Sequence, residues 1–233
     1  MKIPIENPTI KNGMCLNITQ KFGENVELYQ QRFGIPGHNG IDFTYMNPLS
    51  LPAGEASYGK PILAAHDGKV TRLIWNGEHD TRGNGVYLTS DKFETVYWHL
   101  SKILCDVGQT VASGAKLGEM GNSGYVMPPP TAEFPLAGTH LHFGVRPLPI
   151  INNPFDGYVD PYPYLDQLNM LKILGDKKTN KQYVLGNDSK LHWIFNETLL
   201  DSLHDSGVIS KFNIEWVDGI AGFEMGEVWA CIK

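Results

Sequence analysis

Glycine, asparagine and proline cut residues from about 15 to about 150 into short runs with the two-residue alternation of β-strands, and this punctuation limits the fold more than any other feature. Pro61-Ile62-Leu63-Ala64-Ala65 and the run from Lys69 to Trp75 flank a tight turn at Asp67-Gly68. Gly85 to Thr89 and Thr95 to Trp98 predict a hairpin across residues 90–94, and Val107 to Val111 and Lys116 to Met120 frame a reversal at Ser113-Gly114. No helical period interrupts the series. The segment therefore predicts a mainly β domain, an antiparallel sheet or sandwich with an open groove.

The pattern changes after Asp160-Pro161-Tyr162-Pro163-Tyr164-Leu165, so the sequence predicts one domain over residues 1–165 and a small α+β domain over 170–233. In the second, Lys181 to Leu185 and Leu191 to Phe195 read as paired strands. Asn196 caps a helix over Glu197 to His204, Gly207 stops it, and strand-like runs follow at 212–217 and 227–232.

Composition removes several function classes. The net charge of −6, without a run of like charges, provides no electrostatic grip on nucleic acid or an anionic membrane. No stretch approaches the roughly 18 apolar residues of a membrane span. Cys15, Cys105 and Cys231 are odd in number and scattered, which argues for ordinary thiols instead of a disulfide framework or a thiolate metal site. Met1 to Pro8 lacks the apolar run of a signal peptide, so the expected routes to an extracytoplasmic target are lysis, a virion or a non-Sec pathway.

The chemistry lies in histidine and carboxylate placement. Strand alternation sends His140 and His142 to one face and Leu141 and Phe143 to the other. His38 and Asp42 converge if the chain turns at Gly40 before entering a strand through Ile41 and Phe43. Imidazole nitrogens and a carboxylate oxygen are zinc donors, and three protein ligands with one open position characterise a catalytic site. His99 ends an alternating strand, and the same alternation turns Tyr97 to its side. His66 and His79 read as solvated loop residues. Nothing near His192 or His204 completes a second site.

These residues resemble the lysostaphin and LytM-type zinc endopeptidases that cut peptidoglycan peptides. The resemblance covers about residues 18–165 and runs in order through Thr19-Gln20-Lys21-Phe22-Gly23, Gly37-His38-Asn39-Gly40-Ile41-Asp42-Phe43, Pro61-Ile62-Leu63-Ala64 with Asp67-Gly68-Lys69-Val70, Tyr97-Trp98-His99-Leu100-Ser101, Val107-Gly108-Gln109-Thr110-Val111, Gly121-Asn122-Ser123-Gly124 and His140-Leu141-His142-Phe143. It implies that His38, Asp42 and His142 bind one zinc ion. It also implies that His99 and His140 are the catalytic histidines facing water and substrate, and that the substrate is a stem or cross-bridge peptide of the bacterial cell wall. Tyr97, Asn122 and Ser123 are the candidate substrate contacts.

The chain departs from the family in two expansions, Tyr45 to Gly59 and Tyr125 to Thr139. The second carries Pro128-Pro129-Pro130, and both are expected to wall the groove and shape specificity. A phage or bacterial lysin is the leading expectation. The alternatives are a non-catalytic LytM-like binding or activating module and a phage tail structural protein, with residues 170–233 contacting the cell wall or a virion partner.

Overall fold

The computed structural model describes residues 1–6, 16–45, 54–75, 81–165, 172–185, 191–193, 214–220 and 224–225. The chain divides into two compact units, one of residues 1–6, 18–44 and 51–165, the other of residues 7–17, 45–50 and 166–233.

Between residues 16 and 147 the strands are, in chain order, β1 (Leu16–Gln20), β2 (Ile41–Tyr45), β3 (Pro61–Leu63), β4 (Gly68–Ile74), β5 (Asn84–Thr89), β6 (Phe93–Leu100), β7 (Lys102–Ile103), β8 (Thr110–Val111), β9 (Lys116–Glu119) and β10 (Leu141–Pro147). Seven of them form one sheet in the order β1-β2-β10-β6-β5-β4-β8, and the other three form a sheet in the order β3-β9-β7. The pairings that carry the site, β2 with β10, β10 with β6 and β6 with β5, are all antiparallel. The mainly antiparallel β architecture expected from the punctuation is present. The runs flanking Asp67-Gly68 join different sheets, as do those flanking Ser113-Gly114, because each pairs with strands distant in sequence.

Alternation decides what each face of the large sheet carries. Ile41, Phe43, Val86, Leu88, Tyr97, Leu141, Phe143 and Val145 are all essentially inaccessible to solvent and form the core face. Each such large apolar side chain contributes about 1.5–3 kcal/mol by leaving water. The second sheet covers this face: the Tyr97 hydroxyl accepts a hydrogen bond from the Ala65 N–H at 2.9 Å, and a Cβ on Gly118 would stand 3.0 Å from Leu100 Cδ1. The opposite face carries Asp42, His142 and Trp98 in register across β2, β10 and β6.

One helix does interrupt the strands, contrary to the sequence expectation: α1 (Val26–Phe33). None of its residues is buried, so it has no core-facing stripe to produce an apolar period. Its local signals are Glu27 in the first turn, Arg32 in the last, and Gly34 beyond the end in the left-handed conformation (φ 72°), with its N–H bonded to the Gln30 carbonyl at 3.2 Å. His66 also departs from its expected solvated role. It is half-buried, with Nε2 3.0 Å from Thr95 Oγ1, and burial pulls its pKa below the ordinary value.

In the second unit β11 (Lys172–Asp176), β12 (Lys181–Leu185), β13 (Leu191–Trp193) and β14 (Ile214–Val217) form a sheet in the order β13-β12-β11-β14. β11 and β12 are an antiparallel hairpin whose turn is held by Asp176, with Oδ1 accepting from the Lys178 N–H and Oδ2 from the Thr179 hydroxyl. β14 runs parallel to β11. The helix expected over 197–204 and the strand over 227–232 lie outside the described residues.

Candidate metal centre

Three donor atoms from two strands and a loop meet at one point. His142 sits on β10 directly opposite Asp42 on β2. His38 arrives from the segment before β2, held by hydrogen bonds from its N–H to the Glu24 carbonyl and from the Gly23 N–H to its own carbonyl. His38 Nε2 lies 2.9 Å from His142 Nδ1 and 3.1 Å from Asp42 Oδ1, and His142 Nδ1 lies 3.1 Å from that same oxygen. Tetrahedral donors about 2.0 Å from a zinc ion stand roughly 3.3 Å apart, close to the size of this triangle. All three residues are buried.

Tautomers make the triangle a cation site. His38 Nδ1 faces the Lys21 carbonyl at 3.1 Å; a carbonyl only accepts, so Nδ1 carries the proton and Nε2 presents a lone pair. That lone pair converges with a carboxylate oxygen and with His142 Nδ1. Burial alone would raise the Asp42 carboxyl, but the imidazoles of His38, His140 and His142 packed around it hold it well below the usual carboxylate range. Burial presses His142 down to about 4, against the pull of Asp42, and so keeps it neutral. His142 Nε2, on the far side of the ring, is buried without a hydrogen-bond partner. The donor set fits a zinc ion.

Gly40 makes this packing possible, for a reason different from the sharp turn expected of it. A Cβ at this position would stand 2.5 Å from the Phe143 carbonyl oxygen and 2.8 Å from both Cε1 and Nε2 of His142. Only glycine lets the loop pass this close to the imidazole.

His99 and His140 stand beside the triangle, their ring centroids 4.6 Å apart. His99 Nδ1 faces the Ser123 carbonyl at 2.8 Å and His140 Nδ1 the Gly138 carbonyl at 2.8 Å. Each Nδ1 is therefore the protonated nitrogen, and each Nε2 is left as a lone pair. His140 Nε2 comes within 3.6 Å of Asp42 Oδ2. Burial, with His140 and His142 alongside, holds the His99 pKa well below the ordinary value.

Asp42, His99, His140 and His142 border a groove of about 1020 Å³ that is also lined by Tyr29, Trp98 and Tyr125, while His38 is wholly buried. Tyr125 to Met127, the start of one expansion, are part of its wall; residues 46–53 of the other lie outside the described set.

The three candidate substrate contacts do not line this groove among the described residues. Tyr97 points into the core because alternation fails after it: His99 has a left-handed backbone (φ 65°), and the β5–β6 register shifts between Asn84 and Val86. Trp98 and His99 thereby both reach the groove, and Tyr97 takes the other side. The Asn122 amide is committed to the loop, donating to the Pro135 carbonyl at 2.9 Å and the Ala137 carbonyl at 3.0 Å. The Ser123 hydroxyl donates to the Leu100 carbonyl and accepts from the Asn84 N–H. Tyr97→Phe leaves the buried Ala65 N–H without this acceptor; we expect a loss of about 1–3 kcal/mol in urea unfolding, with KM unchanged. A raised KM without loss of stability would restore Tyr97 to the groove.

Sequence reasoning missed Trp98. Its ring stacks on that of His142 at 4.5 Å and 7° and shields the imidazole from water. The direct pairing of Trp98 with His142 carries that information, and strand alternation anchored on His99 turns it to the wrong face.

A buried two-histidine, one-carboxylate donor set opening into a groove is the arrangement of a mononuclear catalytic metal centre. The description "Peptidase family M23" matches residues 37–161, more than half of the chain, and the protein belongs to that family. It is similar to the peptidoglycan DD-endopeptidase ShyA of Vibrio cholerae (29% identical over 157 residues, 66% of this chain and 30% of that protein). It is also similar to ShyB of the same organism, a peptidoglycan DD-endopeptidase (32% over 133 residues, 57% and 25%). The chain thus spans less than a third of the length of these curated relatives. Among solved structures, the catalytic domain of the antimicrobial peptidase lysostaphin from Staphylococcus simulans is 27% identical with a TM-score of 0.40, over 55% of this chain and 79% of that one.

Proposed function

We propose that the protein is a zinc-dependent endopeptidase that hydrolyses peptide bonds of bacterial peptidoglycan and acts at the cell wall as a lysin. The observation that carries this reading is the meeting of His38 Nε2, Asp42 Oδ1 and His142 Nδ1 beside two histidines whose Nε2 atoms are lone pairs. The names of the similar proteins from Vibrio cholerae support the substrate class.

His38, Asp42 and His142 would hold the ion, which when bound polarises a carbonyl and lowers the pKa of water to about 7. The chain supplies the rest. His99 and His140 are oriented because each Nδ1–H is tied to a backbone carbonyl, which leaves each Nε2 lone pair to accept a proton. One Nε2 takes the proton released as water adds to the scissile carbonyl and hands it to the departing amine. The other, once protonated, donates to the oxygen where negative charge develops. Trp98 lies flat against His142 and keeps bulk water off that side.

Mass spectrometry of muropeptides released from purified cell walls tests the reading. New peptide termini appear with the zinc-loaded protein, vanish after phenanthroline and dialysis, and return with added zinc. Release that persists through metal removal would overturn the mechanism, and a zinc content near zero would favour a non-catalytic module.

A further inference from the structure

The four arginines of this chain, Arg32, Arg72, Arg82 and Arg146, all gather at the groove, although the protein as a whole is acidic. Arg72, Arg82 and Arg146 line it, Arg32 lies 3.7 Å over the ring of Tyr125 at its wall, and no lysine among the described residues lines it. Sheet register places two of the three lining arginines. Gly144 on β10 pairs with Val96 on β6, Val96 with Tyr87 on β5, and Tyr87 with Arg72 on β4. This row lies on the groove face two residues along from His142 and Trp98, roughly 7 Å away. Arg146, two further residues along β10, shares that face.

The guanidiniums rest on an aromatic floor. Tyr87, Val96, Trp98 and Tyr158 form one buried cluster. Arg146 lies 4.1 Å over the Tyr158 ring and Arg72 5.2 Å over Tyr87, while Arg82 Nη1 donates to the Tyr87 hydroxyl at 3.3 Å and its guanidinium lies 6.0 Å from the Trp98 ring. Arg146 is paired with Glu94 at 3.1 Å, and its buried Nε has no partner. Gly144 leaves room for this floor, since a Cβ there would stand 2.8 Å from the Tyr158 ring. Stacking orients a guanidinium, and its planar fork of five N–H donors matches a carboxylate in two parallel hydrogen bonds, which a lysine ammonium cannot do.

We infer that Arg72 and Arg82, supported by Arg146, form a subsite that binds a free carboxylate of the substrate peptide on the β4–β5 side of the scissile bond. The inference rests on the peptidase reading above and adds the charge of the substrate. Specificity for a charged substrate then comes from this wall.

Cross-linked muropeptides and the same preparation with its carboxylates converted to carboxamides provide the test, by cleavage kinetics and by calorimetric binding. Zinc-loaded protein is expected to prefer the native form at least tenfold, through KM more than kcat. The preference should fall toward 1 in the Arg72→Gln, Arg82→Gln double variant and fall in part in Arg72→Gln alone, where the altered side chain is exposed and the fold is not at risk. Metal-dependent cleavage of both forms at equal rates overturns the arginine subsite and leaves the peptidase reading standing. Preferential binding of the native form, lost in the double variant and unaccompanied by cleavage, does the reverse. Equal or absent binding of the two forms with no cleavage sinks both.

Discussion

His142→Ala protein is expected to contain no zinc after dialysis and to release no muropeptides, whereas His99→Ala protein keeps one zinc per chain and loses about 10²–10⁴ of its turnover. The difference follows from which atoms meet. His142 Nδ1 is one corner of the donor triangle, 2.9 Å from His38 Nε2 and 3.1 Å from Asp42 Oδ1, so its loss leaves two donors where three are needed. His99 contributes no donor atom to that triangle and presents its Nε2 to the groove. The left-handed backbone at His99 complicates an alanine there, since relaxation of the strand would also disturb Trp98. His99→Asn resolves this, because asparagine tolerates a positive φ and still lacks an imidazole. Zinc content by atomic emission, folding by circular dichroism and turnover on cell walls are the measurements. Normal turnover of His99→Asn removes that residue from the chemistry, and a full zinc complement in His142→Ala removes His142 from the ligand set.

Gly40→Ala is expected to lower zinc affinity at least tenfold and to destabilise the fold by about 1–3 kcal/mol, although residue 40 offers no ligand. The added methyl would collide with the Phe143 carbonyl, which belongs to the central strand, and with the far edge of the His142 ring. The carbonyl cannot move without breaking the β2–β10 pairing, so the ring must turn and carry Nδ1 away from Asp42 and His38. A competition titration with a chromophoric chelator reads the affinity, and urea unfolding reads the stability. Unchanged affinity would show that the loop yields instead of the ring.

Both predictions concern atoms that converge from positions about a hundred residues apart, and the part of that convergence visible in the sequence was strictly local. The His-Leu-His alternation on β10 correctly turns His140 and His142 to one face, because pleating needs no knowledge of neighbouring strands. The same rule fails at Tyr97 and His99. The interruption there depends on a partner strand: the His99 N–H bonds to the Arg82 carbonyl, and the β5 register slips where Gly85 makes room for Trp98, whose Cδ1 a Cβ would approach to 2.8 Å. Helix α1 escaped notice for a related reason, since an element with no buried residue leaves no apolar period to detect.

The residue types and their order along the chain determined the β class and the resemblance to the family, and that resemblance singled out His38, Asp42 and His142 as the proposed ligands. The β class rests on backbone alternation and turn chemistry, and the resemblance on short motifs, all of which act within a few residues. Tertiary structure alone decided that Gly40 serves as space for an imidazole, that Trp98 stacks on His142 while Tyr97 sits in the core, and that four scattered arginines meet at one groove. Each of these depends on which strand lies beside which and in what register, and that is set by the joint burial of one sheet face across strands far apart in the sequence.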